Sequence, residues 1–230
     1  MKTFIFDMDG TLFQTDKILE ASLEDTFKFL RGQGLWDGPA PLETYRTIMG
    51  VPLPTVWETL LPEHTLEIRQ QANSLFHDNL ISNINEGKGE LYPHVIELFS
   101  CLKEENCRIY IASNGQIGYL EAILAYYGLY EWVTEVWSIQ QIDSQNKSDL
   151  VSEIVRKHQI TEGAVIGDRL SDFRAAKDNG LLSIGCRFDF AHDDELEHAD
   201  IIIGSLLEIK KLVRQGITES FMTKISSLEE

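Results

Sequence analysis

From about residue 90 onward, short apolar runs alternate with amphipathic stretches. Arg108-Ile109-Tyr110-Ile111-Ala112, Ala164-Val165-Ile166-Gly167, Leu181-Leu182-Ser183-Ile184-Gly185 and Asp200-Ile201-Ile202-Ile203 read as strands buried on both faces. Between and around them, Pro93–Glu105, Gln116–Tyr127, Lys147–His158, Ser171–Asp178 and Ser205–Arg214 carry apolar residues at the helical period, with Ser171 and Ser205 as expected N-caps. A further apolar run, Thr3-Phe4-Ile5-Phe6, leads the chain as a first buried strand. Alternation of this kind predicts an α/β fold with a parallel sheet flanked by helices. In such a sheet, active residues sit at the carboxyl ends of strands.

Residues 16 to about 86 break the alternation. They contain no convincing strand but several amphipathic segments, near Asp16–Arg31, Leu42–Met49, Thr55–Leu61 and Glu63–Asn83, punctuated by Pro39, Pro41, Pro52, Pro54 and Pro62. The expectation is an inserted all-helical domain over 16–86, a core made of 1–15 and 87–215, and a C-terminal tail over 216–230. Gly87-Lys88-Gly89 is the expected hinge back to the core, since glycine absorbs large dihedral changes. Trp57, Trp36, Phe27 and Phe29 are expected to form the insertion's own core.

Composition adds little to the fold but bounds the partners. The 230 residues carry 20 Lys plus Arg against 37 Asp plus Glu, a formal net charge of −17. So acidic a surface repels nucleic acid and anionic lipid, so neither is an expected partner. An anionic substrate would need a locally positive pocket or a bound metal. The three cysteines, Cys101, Cys107 and Cys186, lack metal-site spacing and read as free thiols, which fits a reducing compartment. With neither a secretion signal nor an uninterrupted apolar run of spanning length, the expectation is a soluble, cytoplasmic protein, monomer or homodimer.

Four short segments, each after an expected strand, carry the chemistry. In Asp7-Met8-Asp9-Gly10-Thr11 a carboxylate at a strand end can attack phosphorus, while a second, two residues on, can protonate the leaving oxygen and later deprotonate water. An acidic turn ending a strand is the plainer reading of those residues alone. Ser113-Asn114-Gly115 offers a hydroxyl and backbone N–H groups at a strand-to-helix junction, suited to a phosphoryl oxygen, although the same tripeptide serves as an ordinary turn. Lys147 opens a helix, where the dipole disfavours a cation, so contact with a phosphoaspartate would explain it; a solvated lysine is the alternative. In Gly167-Asp168-Arg169-Leu170-Ser171-Asp172, Asp168 is a candidate direct Mg²⁺ ligand, and Asp172 would hold a metal-bound water, orient Lys147 or cap a helix. Four carboxylates, one lysine and a phosphate dianion in one pocket call for a divalent cation.

Taken together, these segments resemble the haloacid dehalogenase superfamily, in the subclass whose helical cap follows the first motif, and the resemblance spans essentially the whole chain. Asp7-Met8-Asp9-Gly10-Thr11-Leu12 matches the first motif, Ser113 the second, Lys147 the third, and Gly167-Asp168 with Asp172 the fourth. The resemblance implies a Rossmann-like core and a capping insertion, Asp7 as nucleophile, and Asp9 as acid/base. It also implies Mg²⁺ held by Asp7, the Asp9 carbonyl and Asp168. Asp168–Gly180, with Ala175-Ala176, and Leu91-Tyr92-Pro93 are similar to the phosphoglycolate-phosphatase-like branch. That branch commonly has Pro after the third-motif lysine, where Ser148 stands here, and Gly after the Pro, where His94 stands.

Within the superfamily, Asp9 argues against dehalogenation, whose enzymes lack that residue. The absence of lysine between Lys28 and Lys88 argues against the Schiff-base phosphonatases. β-Phosphoglucomutase-like enzymes carry an arginine where Gly50-Val51-Pro52-Leu53 places Leu53. The expectation is therefore Mg²⁺-dependent hydrolysis of a small-molecule phosphomonoester through an aspartyl-phosphate. A sugar-phosphate mutase is the enzymatic alternative and a phospho-accepting regulatory module the non-enzymatic one. Substrate selection is expected on the Tyr45–Leu53 loop, with Arg46 either contacting a second anionic group or simply solvated.

Overall fold

A computed structural model describes residues 2–48, 51, 53–189 and 191–215. Met49, Gly50 and Pro52 of the selection loop, and the 216–230 tail, lie outside the described residues. Six strands, β1 (Thr3–Phe6), β2 (Arg108–Ser113), β3 (Glu135–Ser138), β4 (Gly163–Gly167), β5 (Leu182–Cys186) and β6 (Ile201–Ile203), form one sheet in the order β3-β2-β1-β4-β5-β6. Every pairing is parallel. The connections run outward in opposite directions from β1 and β4, so the crevice beyond their carboxyl ends is the switch point where such sheets bind ligands.

The period-2 alternation of the strands distributes their side chains between two layers of packing. Phe4, Phe6, Ile109, Ile111 and Ile166 share one buried cluster with α5 (Val95–Glu104) and α6 (Ile117–Tyr126). Ile5, Tyr110, Ala112 and Val165 face the opposite way, onto α7 (Lys147–His158) and α8 (Leu170–Asp178). Burial on both faces explains why the central strands read as continuous apolar runs. β3 carries no such run. As an edge strand it pairs only with β2, and three of its four residues stay half-exposed. The short helix α9 (Asp193–Leu196) follows β5, and α10 (Leu207–Gln215) follows β6.

Between β1 and α5 lie α1 (Asp16–Gly32), α2 (Leu42–Thr47), α3 (Leu53–Leu60) and α4 (Leu66–Asn85), with no strand among the described residues. Their aromatic centre is as the pattern implies: Phe27 meets Trp36 edge-on at 4.9 Å between centroids, and Trp57 meets Phe76 at 5.7 Å. Long α1 and α4 lie against each other, joined by a buried hydrogen bond from Asn83 Nδ2 to Ser22 Oγ at 2.7 Å. α4 also packs on α6, which places the underside of this helical layer over the carboxyl end of the sheet.

One local expectation needs correction, and one departure gains a reason. Ser171 does not cap α8; the helix starts a residue earlier, and the Arg169 N–H is satisfied at 3.1 Å by the carboxylate of Asp172. Ser205 does serve the start of α10, accepting the Leu207 N–H at 3.3 Å. His94 sits at φ 71°, ψ 9°, the left-handed region that glycine occupies without cost and that His tolerates better than most residues. A glycine-favouring backbone is thus retained under a bulkier side chain.

Candidate active site

The ladder of β1 continues one bond past the strand, Asp7 N–H donating to the Ile166 carbonyl at 2.8 Å, so the Asp7 carboxylate projects from the rigid centre of the sheet. Gly10, at φ 73°, then turns the chain away; a β-carbon there would lie 2.5 Å from an oxygen of Asp168. The same glycine therefore serves the turn and leaves room for the neighbouring carboxylate.

Lys147, at the first turn of α7, is buried and ion-paired on two sides. Its Nζ donates to Asp7 Oδ1 at 2.6 Å and contacts Asp172 Oδ1. Burial works against its charge, but the two carboxylates outweigh that effect and raise its pKa. This resolves the oddity of a cation at a helix amino terminus. Ser148 fits the same turn, because its N–H is the group that N-cap Asn146 accepts at 2.8 Å and a proline would not supply it.

Asp7, Asp168 and Asp172 each offer an oxygen within 4.8 Å of the others, all three buried. Burial raises the pKa of each. Neighbouring carboxylates add to the rise at each and Lys147 offsets part of it, with both Asp7 and Asp172 pushing Asp168 up. One lysine against three desolvated carboxylates leaves excess negative charge, and an all-oxygen donor set of this kind suits a hard divalent cation.

Asp9 is kept out of that cluster. Its Oδ1 accepts the hydroxyls of Thr15 and of Tyr119, the latter at 2.5 Å, so its side chain is directed toward α1 and α6. Burial raises its pKa and these two donors moderate the rise. The pentapeptide thus separates two carboxylates: one beside the lysine and acidic cluster, the other hydrogen-bonded to Thr15 and Tyr119. Thr15 and Tyr119 were not among the residues expected in the site.

Ser113, ending β2, is buried and its Oγ accepts the Gly115 N–H at 3.0 Å, which leaves its own proton to donate elsewhere. Asn114 lines both the cavity that holds Asp9 and the one that holds Lys147. Arg46 is not brought to the cluster. It lies on α2, where Nε donates to Asp16 at 3.0 Å and Nη1 to Glu43 at 2.7 Å. From the neighbouring helical layer, Tyr45 and His77 line the Asp9 cavity instead.

A Rossmann-like sheet with an acidic cluster past β1 and β4, a buried lysine and a helical layer above defines a class of hydrolase, and comparison with known proteins agrees. A model of the haloacid dehalogenase-like hydrolases matches residues 1–180. The chain belongs to that family. It is similar to a phosphoglycolate phosphatase of Vibrio vulnificus, 23% identical over 93% of this chain and 96% of the relative. It is also similar to the pyrophosphatase PpaX of Listeria monocytogenes, 24% identical over 92% and 96%. The crystal structure of a predicted phosphoglycolate phosphatase from Haemophilus somnus superposes with a TM-score of 0.82 at 19% identity, covering 92% of this chain and 97% of the other.

Proposed function

We propose that the protein hydrolyses a small phosphomonoester through a phosphoaspartate on Asp7. The observation that carries this reading is the division of labour in the first motif: Asp7 beside Lys147 at 2.6 Å, and Asp9 held apart by Thr15 and Tyr119. An Asp7 oxygen attacks phosphorus while Asp9, whose pKa burial raises, gives its proton to the departing alcohol oxygen. Asp9, now a carboxylate, then takes a proton from the water that attacks the phosphoaspartate, releasing phosphate and regenerating Asp7. Ser113 donates its free proton, and Asn114 its amide, to phosphoryl oxygens. Lys147 balances charge on Asp7 and orients it, and Asp172 orients Lys147.

Mg²⁺ is the fitting metal, with Asp7, Asp168 and the Asp9 carbonyl as its protein donors and Asp172 beside them; when bound it supplies charge neutralisation and in-line alignment of the phosphoryl group. Residues 16–86 act as a cap that excludes bulk water, swinging on the Gln14–Lys17 and Gly87–Gly89 connections. Transfer to a second sugar hydroxyl is the rival outcome. Incubating the protein with Mg²⁺ and a panel of phosphomonoesters, including a hexose 1-phosphate with its bisphosphate, tests the reading. Phosphate release abolished by Asp7→Asn supports it. Isomer formation outpacing phosphate release, or no turnover with no effect of Asp7→Asn, overturns it.

A further inference from the structure

The residues above Asp9 describe the leaving group. A cavity of about 70 Å³ lies between the helical layer and the sheet, bounded on the sheet side by Asp9, Asn114 and Tyr119 and on the helical side by Tyr45 and His77. By the reading of Asp9 as the acid, this is where the group leaving phosphorus must sit. The volume is enough for roughly a few waters, hence for a chain of two or three carbons.

His77, on α4, is 6% exposed, and neither ring nitrogen has a hydrogen-bond partner among the described residues. Buried polar groups left unpaired are costly and few, so one that lines a cavity is suited to bind a polar group entering it. Tyr45 adds a buried hydroxyl on the same wall. No lysine or arginine lines this cavity among the described residues. Arg46, adjacent to Tyr45, is held between Asp16 and Glu43, and Arg69 donates to the carbonyls of Leu61 and Pro62. Met49, Gly50 and Pro52 carry no charge.

We propose that His77, with Tyr45, is a specificity-determining residue that hydrogen-bonds a neutral hydroxyl of a small leaving alcohol, and that the site selects against a leaving group bearing a carboxylate. This reading rests on the proposed phosphomonoester hydrolysis and deepens it. A carboxylate in this position would face Asp9 and stand beside a phosphate dianion, with no lysine or arginine lining the cavity to pair with it. Burial also pushes the His77 pKa down to about 4, so the imidazole is neutral near pH 7, offering one donor and one acceptor, which matches a hydroxyl. The relatives named phosphoglycolate phosphatase would then differ from this chain in substrate.

The test compares three esters on one two-carbon frame, ethyl phosphate, 2-hydroxyethyl phosphate and phosphoglycolate, by kcat/KM with Mg²⁺. The expected result is about tenfold preference for 2-hydroxyethyl phosphate over each of the others. In His77→Leu the preference over ethyl phosphate should collapse, and in His77→Gln it should survive in part. Phosphoglycolate turned over as fast as 2-hydroxyethyl phosphate overturns the proposal. So does a hydroxyl preference that persists in His77→Leu. Should that variant fail to fold, the ranking in the unaltered protein and in His77→Gln decides. No turnover of these esters or of p-nitrophenyl phosphate overturns the hydrolase reading itself, and this proposal with it.

Discussion

Replacing Lys147 with Met removes the cation that pairs with two of the three buried carboxylates in the cluster. The side chains of Lys147, Asp7 and Asp172 are 4%, 10% and 0% exposed, so solvent cannot take over the lysine's role. Breaking a pair of this burial leaves an uncompensated charge and costs roughly 3–5 kcal/mol, against about 0–1 for an exposed pair. The folded pKa of Lys147 lies above its unfolded value. Its contribution is therefore fully present at neutral pH and is lost only as pH climbs through the folded pKa. Without it, the carboxyl pKa values rise further, the native state binds more protons than the unfolded one, and the variant's deficit grows with pH. Urea unfolding in the presence of chelator should show the roughly 3–5 kcal/mol loss at pH 7.5 and a smaller loss at pH 5.5. A loss below about 1 kcal/mol, or one independent of pH, would refute the picture of a desolvated, lysine-dependent cluster.

Three further outcomes follow from individual contacts. Tyr119→Phe removes a donor that lowers the Asp9 pKa, so the basic limb of the kcat profile should move to higher pH, with kcat falling about tenfold; an unmoved limb would show that Asp9 is not the titrating acid. Asp7, Asp168 and Asp172 have raised pKa values, so below those values the folded state holds extra protons. The chelated protein should then melt at higher temperature at pH 5.5 than at 7.5, and added Mg²⁺ should stabilise it more at 7.5. His94→Gly relieves a left-handed residue at the cost of a more flexible unfolded chain and an exposed contact with Glu97, for a net gain of roughly 0.5 kcal/mol in urea unfolding.

The parts of the fold that were legible are those where burial imposes a period. Central strands showed as apolar runs and the helical layer as amphipathic stretches, and α7 spans the residues its pattern indicates, Lys147–His158. β3 was not legible, because Glu135-Val136-Trp137-Ser138 lies at the sheet edge and has no two-sided burial to advertise it. The same division holds in the site. Asp7, Ser113, Lys147 and Asp168 each stand at a strand or helix end within a short motif, so type and spacing pointed to them. Thr15 and Tyr119 meet Asp9 only through folding, Tyr119 from 110 residues away, and neither belongs to a recognisable segment. His77 lies on a helix whose apolar face marks it as core, and only its unpartnered nitrogens distinguish it. Arg46 illustrates the converse: charge and position left ligand contact and plain solvation both open, and two nearby carboxylates occupy it.

The central claim is that Asp7 itself becomes phosphorylated, and Asp9→Asn with p-nitrophenyl phosphate and Mg²⁺ tests it most directly. That ester needs no acid to depart, so the first step proceeds without Asp9, while water attack on the phosphoaspartate lacks its base. The account predicts a burst of one p-nitrophenol per protein and, in acid-quenched samples, a phosphate carried on Asp7 by mass spectrometry. Slow linear release with no burst, or phosphate found on any residue but Asp7, would contradict it.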